Sequence, residues 1–234
     1  MTYLTEDDIR HIVKQVIEEE RAKGVGQGTT RTAPLTWAAG KGKEVPLEVS
    51  ARHVHLTTEA LEALFGKGYQ LTHRKDLSQP GQFASNERVS IVTEKGQIDR
   101  VSVLGPVRQH VQVELSKTDA VSLGLSAPVR LSGDLAGAPD VKLVGPAGTY
   151  IAKESAIIAM AHVHMTPEDA ARYRVRNGDI VSIAIDSERP VTLDRVIVRV
   201  DSPQKAALAV HIDFDEANAA CASGKVRARL IKKL

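Results

Sequence analysis

Cysteine is almost missing: Cys221 is the only one in 234 residues. No disulfide can form within the chain, which suits a reducing cytosol. Cys221 has no evident base partner and reads as a small buried residue, not a nucleophile. Aromatic residues make up only 3%, so there is no platform on which bases could stack. Neither sign of charge dominates. With 31 Lys and Arg against 29 Asp and Glu, scattered along the chain, the net charge of +2 gives no footprint for nucleic acid. No apolar run approaches a membrane span. The acidic, amphipathic start does not read as a secretory signal. The phosphate-cradling patterns G-x-x-x-x-G-K-S/T and G-x-G-x-x-G are both missing.

What remains is an ordinary globular composition, 42% hydrophobic and 26% charged, enough for one large domain or two small ones. Histidine carries the information. Four of the eight sit in two copies of one pattern, His53-Val54-His55 and His162-Val163-His164. Each copy is followed by a long apolar residue and then Thr-x-Glu. On an extended strand, residues i and i+2 point to one face, so each copy aims two imidazoles in one direction, as a metal site requires.

The repeat extends further. Asp99-Arg100-Val101 matches Asp194-Arg195-Val196. Glu114 and His211 each end an apolar strand and precede a short helix. Two half-sites follow: His53, His55 and Glu114, and His162, His164 and His211. Imidazole with at most one carboxylate suits zinc best, with Fe, Co or Ni as alternatives. Three ligands per ion leave an open position, the mark of a catalytic site. A surface or core pair of satisfied histidines is the bland alternative, weakened by the duplication.

Short strand-like runs dominate from Val45 onward, at 45–50, 89–93, 98–104, 110–115, 128–132, 141–144, 180–185, 191–200 and 206–212. Short helical patterns occupy 57–66, 117–123 and 167–173. The expected fold is α+β and β-dominated. Two related β-barrel subdomains with short capping helices share a metal cleft. Residues 1–23 form an amphipathic helix with Thr5 as candidate N-cap and a stripe of Ile9, Ile12, Val13, Val16 and Ile17. Residues 24–44 have linker composition, and 45–234 form the body. Arg108, in a turn directly after a strand, could grip a phosphate by bidentate hydrogen bonds; a solvated turn arginine is the plainer reading. Lys75 belongs to a basic cluster and Asn218 to the helix after His211. Gln79-Pro80-Gly81-Gln82-Phe83 reads as a turn near the cleft.

Taken in order, Arg52-His53-Val54-His55-Leu56, Leu77-Ser78-Gln79-Pro80-Gly81-Gln82-Phe83, Leu104-Gly105-Pro106-Val107-Arg108, Ala161-His162-Val163-His164-Met165 and Asn177-Gly178-Asp179 resemble the phosphate propanoyltransferase family of bacterial microcompartments. This is the phosphotransacylase type unrelated to the housekeeping phosphotransacetylase. The likeness covers about residues 45–234. It implies a homodimer of β-barrel subunits with two zinc ions per subunit. The implied reaction exchanges a short acyl-CoA plus phosphate for acyl phosphate plus CoA. It implies zinc ligands at His53, His55, Glu114, His162, His164 and His211, phosphate contact at Arg108, and coenzyme A contacts at Ser50, Lys75 and Asn218. Residues 1–23 resemble an encapsulation peptide. That implies a place inside a microcompartment in the cytoplasm, docking to shell or core proteins, and higher oligomers. Two other functions fit the same residues: a zinc-dependent thioester hydrolase, and a non-enzymatic barrel adaptor docking to a shell.

Overall fold

The computed structural model describes residues 43–223 and 226–231. The expected N-terminal helix and the linker up to residue 42 lie outside them. The described residues form short strands and four short helices. One sheet holds β1 (Lys43–Val45), β16 (Arg227–Ile231), β13 (Ile180–Asp186), β14 (Val191–Val200), β12 (His162–Met165), β15 (Ala209–Ile212) and β2 (Leu47–Val49), in that spatial order. The other runs β10 (Thr149–Ala152), β9 (Val141–Val144), β5 (Phe83–Val92), β6 (Gln97–Gly105), β3 (His53–His55), β7 (Gln112–Leu115), β11 (Ala156–Ala159) and β8 (Val129–Arg130), with β4 (His73–Asp76) on the flank of β5. The result is the expected β-dominated α+β fold: two related barrel-like halves closed by short helices.

The two sheets repeat one pairing scheme. β3 lies between parallel β6 and antiparallel β7. β12 lies likewise between parallel β14 and antiparallel β15. Each half has its own core. Val54 and Leu56 are buried in the first, and Val163 and Met165 in the second. The alternation of His53-Val54-His55 therefore puts valine into a core and both imidazoles on the opposite face.

The halves exchange strands. β2 directly precedes β3 but pairs with β15 of the other sheet. β11 directly precedes β12 but pairs with β7 of the other sheet. The chain thus crosses between sheets just before each His-Val-His.

Every strand carrying a candidate ligand runs into a capped helix. α1 (Thr58–Phe65) follows β3 with Thr57 as N-cap, and α3 (Pro167–Tyr173) follows β12 with Thr166 as N-cap and Pro167 in its first turn. α2 (Lys117–Ser122) and α4 (Phe214–Ala219) follow β7 and β15, with reciprocal boxes formed by Ser116 with Asp119 and Asp213 with Glu216. A side chain that captures the first free N–H groups stops the strand at a defined residue. The ligand positions are thereby held two residues or so from a fixed chain reversal.

Lys43 and Glu44, expected in the linker, pair with β16. The sequence reading did not anticipate β4, β10, β11 or β16. Cys221 is exposed, with φ 47°, just past α4, which corrects the expectation that it is buried. The helix ends at Ala219 with Ala220 as its C-cap, so Cys221 lies beyond the helix.

Candidate functional site

Strand pairing assembles the two half-sites. His53 lies directly opposite Glu114, and His162 directly opposite His211. Side chains opposite one another on a ladder share a face. One ligand atom each from His53, His55 and Glu114 lies within 4.8 Å of the others, and the same holds for His162, His164 and His211. All six line a single cavity of about 420 Å³ between the two halves.

The outer contacts also repeat. His53 Nδ1 is 2.8 Å from the Ala51 carbonyl, and His162 Nδ1 is 2.8 Å from the Met160 carbonyl. In a neutral ring that donates from Nδ1, Nε2 is left as a bare lone pair. His162 Nε2 and His164 Nε2 converge to 3.1 Å, and Glu114 Oε2 lies 3.5 Å from His53 Nε2. Gln112 Nε2 donates to Glu114 Oε1 and, at 2.7 Å, to Ser132 Oγ. The Gln112 amide thus turns the other carboxylate oxygen toward His53.

Burial and charge fix the protonation states. Burial first, then the neighbouring His211 and Arg199 charges, pushes His162 down to about 4. Burial, His162 and His211 push His164 down to about 3. His55 is lowered well below its usual value by burial, His53 and Arg108. These rings are neutral at pH 7, the form that binds metals. Burial opposes charge on both His53 and Glu114, but each stabilises the other's ion. The net result raises His53 and holds Glu114 well below the carboxylate range.

The residues fit a metal ion. His55 Nδ1 is buried without a hydrogen-bond partner, a cost that a metal bond would remove. Glu48 Oε2 approaches His211 Nε2 to 3.2 Å, and this contact is the first cause that lowers the Glu48 pKa. Two imidazoles with a carboxylate, and three imidazoles, are donor sets suited to zinc.

Arg108 lines the same cavity. Its backbone N–H donates to the Leu56 carbonyl at 2.8 Å, and Nη2 donates to Gln82 Oε1 at 3.2 Å. Burial lowers its pKa, partly offset by Glu114. Gln82 sits in the expected turn, where Gly81 has φ 74° and Gln82 N–H donates to the Gln79 carbonyl. Ser50 lines the cavity as well. Lys75 is exposed on β4, close enough to Glu48 to help lower its pKa. Asn218 is exposed on α4 and is not among the cavity residues.

Sequence reasoning missed Glu48, Gln112 and Arg199, which stand beside His211, Glu114 and His164. A signal existed for two of them. Glu48 interrupts Leu47-Glu48-Val49, and Arg199 interrupts the apolar run Val196-Ile197-Val198. A charged residue in a paired strand has to face something polar.

Two barrel-like halves that turn two sets of imidazoles and an arginine onto one cavity define a duplicated-barrel cleft enzyme. Comparison with known proteins supplies the family. Residues 46–223 match the family model described as phosphate propanoyltransferase. A phosphate propanoyltransferase of Priestia megaterium is 52% identical over 206 residues, covering 88% of this chain and 91% of that protein. One from Listeria monocytogenes is 48% identical, covering 81% and 88%. One from Alkaliphilus metalliredigens is 41% identical over 98% of this chain and the whole of that protein. The chain belongs to the phosphate propanoyltransferase family and is an acyltransferase.

Proposed function

We propose that the protein interconverts a short acyl-CoA plus phosphate with acyl phosphate plus CoA, and that it does so as a zinc enzyme. The observation that carries this reading is the meeting of three elements in one cavity: the His53, His55, Glu114 group, the His162, His164, His211 group, and Arg108. A hydrolase has no need of a guanidinium held there.

Zinc bound to these groups supplies Lewis acidity toward oxygen and a soft partner for sulfur. The chain's own residues do the rest. Arg108, steadied by Gln82, offers a planar fork to a phosphate. Arg199, whose charge reaches both Arg108 and His164, adds a second cation that offsets the charge of the incoming anion. A phosphate oxygen forms a bond to the thioester carbonyl carbon, the C–S bond breaks, and the electron pair leaves with the thiolate. Fixed positive groups hold the nucleophile in place, so the gain comes from positioning and electrostatics. The exchange needs no covalent acyl-enzyme. Ser50, on the cavity wall, and Lys75 and Asn218, farther out, are the proposed contacts to CoA.

Residues 1–23 are the proposed encapsulation helix, which would place a homodimeric enzyme, in higher oligomers, against shell or core proteins of a microcompartment. The family likeness and the apolar stripe of Ile9, Ile12, Val13, Val16 and Ile17 support this.

The test measures CoA release from propanoyl-CoA by zinc-loaded protein with and without phosphate, and traps acyl phosphate as its hydroxamate. Release should require phosphate and match hydroxamate formation. Equal release without phosphate would mean thioester hydrolysis instead.

A further inference from the structure

The cavity has an outer neighbour on the β4–β5–β6 side. Arg88, Ser102, His53 and Glu114 are successive cross-strand partners on β5, β6, β3 and β7. Their chain neighbours Val89, Val101, Val54 and Val113 are buried in the core of that half. The row containing Arg88 therefore lies on the sheet's other face, the one that carries two candidate metal ligands. Arg88 stands two strands from His53, about 10 Å at the usual strand spacing.

Arg88 is not alone. It is held in place by Nη1, which donates to the carbonyls of Ser85 at 2.8 Å and Glu87 at 2.6 Å. Arg74 on β4 and Arg100 on β6 are both exposed. After partial burial, they are the nearby charges that push Arg88's pKa down. The acids nearby are committed elsewhere. The Glu87 carboxylate accepts from Thr72 and Tyr69, and Asp99 accepts from Ser90 and Gln97. Among the described residues, no carboxylate forms an ion pair with Arg74, Arg88 or Arg100. The Arg74 and Arg100 charges work against that of Arg88, with the Glu87 carboxylate opposing them, and a bound anion would relieve the repulsion among the three guanidinium groups.

The left-handed backbone at Arg100 (φ 58°) belongs to a bulge: the three residues of β5 from Val89 to Ile91 face the four of β6 from Ile98 to Val101. Bulges re-aim side chains beside functional sites. Asp194-Arg195-Val196 carries the same bulge in the other half, with φ 62° at Arg195. The partner strand there has Ile180 opposite Ile197, where β5 has Arg88 opposite Ser102. The charge cluster is thus a feature of one half, laid on a backbone that both halves share.

We infer that Arg74, Arg88 and Arg100 form the subsite for the phosphate groups at the nucleotide end of the CoA substrate. The inference rests on the acyl-CoA reading of the cavity. A CoA thioester places its sulfur at one end of an extended arm and its phosphates at the other. Arg88 lies on the cross-strand row of Ser102 and His53, which both line the cavity, and its strand is flanked by β4 and β6, which carry Arg74 and Arg100.

The test is a binding measurement on the zinc-loaded full-length protein, so that it does not depend on turnover. Calorimetry compares CoA with pantetheine, which lacks every phosphate. The variant is the double substitution R74A with R100N, since asparagine tolerates the left-handed backbone. Arg88 stays, because its bonds to Ser85 and Glu87 support β5. The double variant should weaken CoA binding roughly ten-fold and pantetheine binding less than about two-fold. The double variant R74K with R100K should regain most of the loss. Equal weakening of both ligands, or no weakening of CoA, would overturn the subsite. Failure of the acyltransfer reading would show separately, as wild-type protein that forms no acyl phosphate.

Discussion

At the scale of single residues, the site depends on a few donors with no substitutes. His162 touches His164, lies tilted beside His211 and is fixed by the Met160 carbonyl. Replacing His53, His162 or His211 by alanine removes one of three donors. Each variant should lose one zinc per subunit by elemental analysis and at least ~100-fold in kcat/KM. Full activity in His162→Ala would sink the two-group reading. Arg108 is a different case, because it holds no metal in this scheme. Arg108→Ala should raise the KM for phosphate, or lower kcat, by roughly ten- to a hundred-fold, with zinc content unchanged. Arg108→Lys should rescue little, since a point charge does not reproduce the fork. Wild-type phosphate kinetics in Arg108→Ala would move phosphate binding elsewhere.

At the scale of elements, the caps show how local chemistry sets the ends of the ligand strands. Thr57, Ser116, Thr166 and Asp213 all act as N-caps. The cap of α4 carries a cost. Burial first, then Asp213 and Asp215, pushes Glu216 up to about 7. The folded protein therefore keeps a proton on Glu216 that the unfolded chain releases at an ordinary carboxylate pKa. Stability from this group is full at low pH and is lost as pH rises from about 4.5 through 7. Glu216→Gln keeps an oxygen for the Asp213 N–H and removes the buried charge. It should raise Tm at pH 8, by the equivalent of about 1–3 kcal/mol, and change little at pH 5. An equal shift at both pH values would show that the effect is packing, not charge. Helices α1, α2 and α3 were readable within one or two residues, because Ser or Thr before an apolar-periodic run is a local signal. Strands β4 and β16 were not readable. His73-Arg74-Lys75-Asp76 is fully exposed and has no apolar alternation. β16 alternates in burial, but its basic residues hide the pattern.

At the scale of the whole body, strand exchange makes the two halves one folding unit. β2 completes the sheet that holds His211, and β11 completes the sheet that holds Glu114. Cutting the chain into 43–155 and 156–231 leaves each piece without a strand that its sheet needs. Each piece expressed alone should lack a cooperative thermal transition, and a folded, zinc-binding species should form only on mixing. A stable fold for either piece alone would show that the exchanged strands are dispensable. The described body has no helix long and apolar enough to cross a membrane.

The sequence by itself determined the duplication, the two half-sites and the β-rich class. These rest on spacing: His-x-His on a strand points both rings one way whatever surrounds it. It also carried the ordered motifs that mark the family. Tertiary structure alone decided three things. It put Glu48 and Arg199 beside the histidines, because they arrive on strands paired across the fold. It wove β2 and β11 into opposite sheets, a choice made by long-range hydrogen bonding that no local pattern encodes. It also left Cys221 exposed and brought Arg74 and Arg100 near Arg88. Exposure and clustering depend on what packs alongside, which a residue's own neighbours in the chain do not specify.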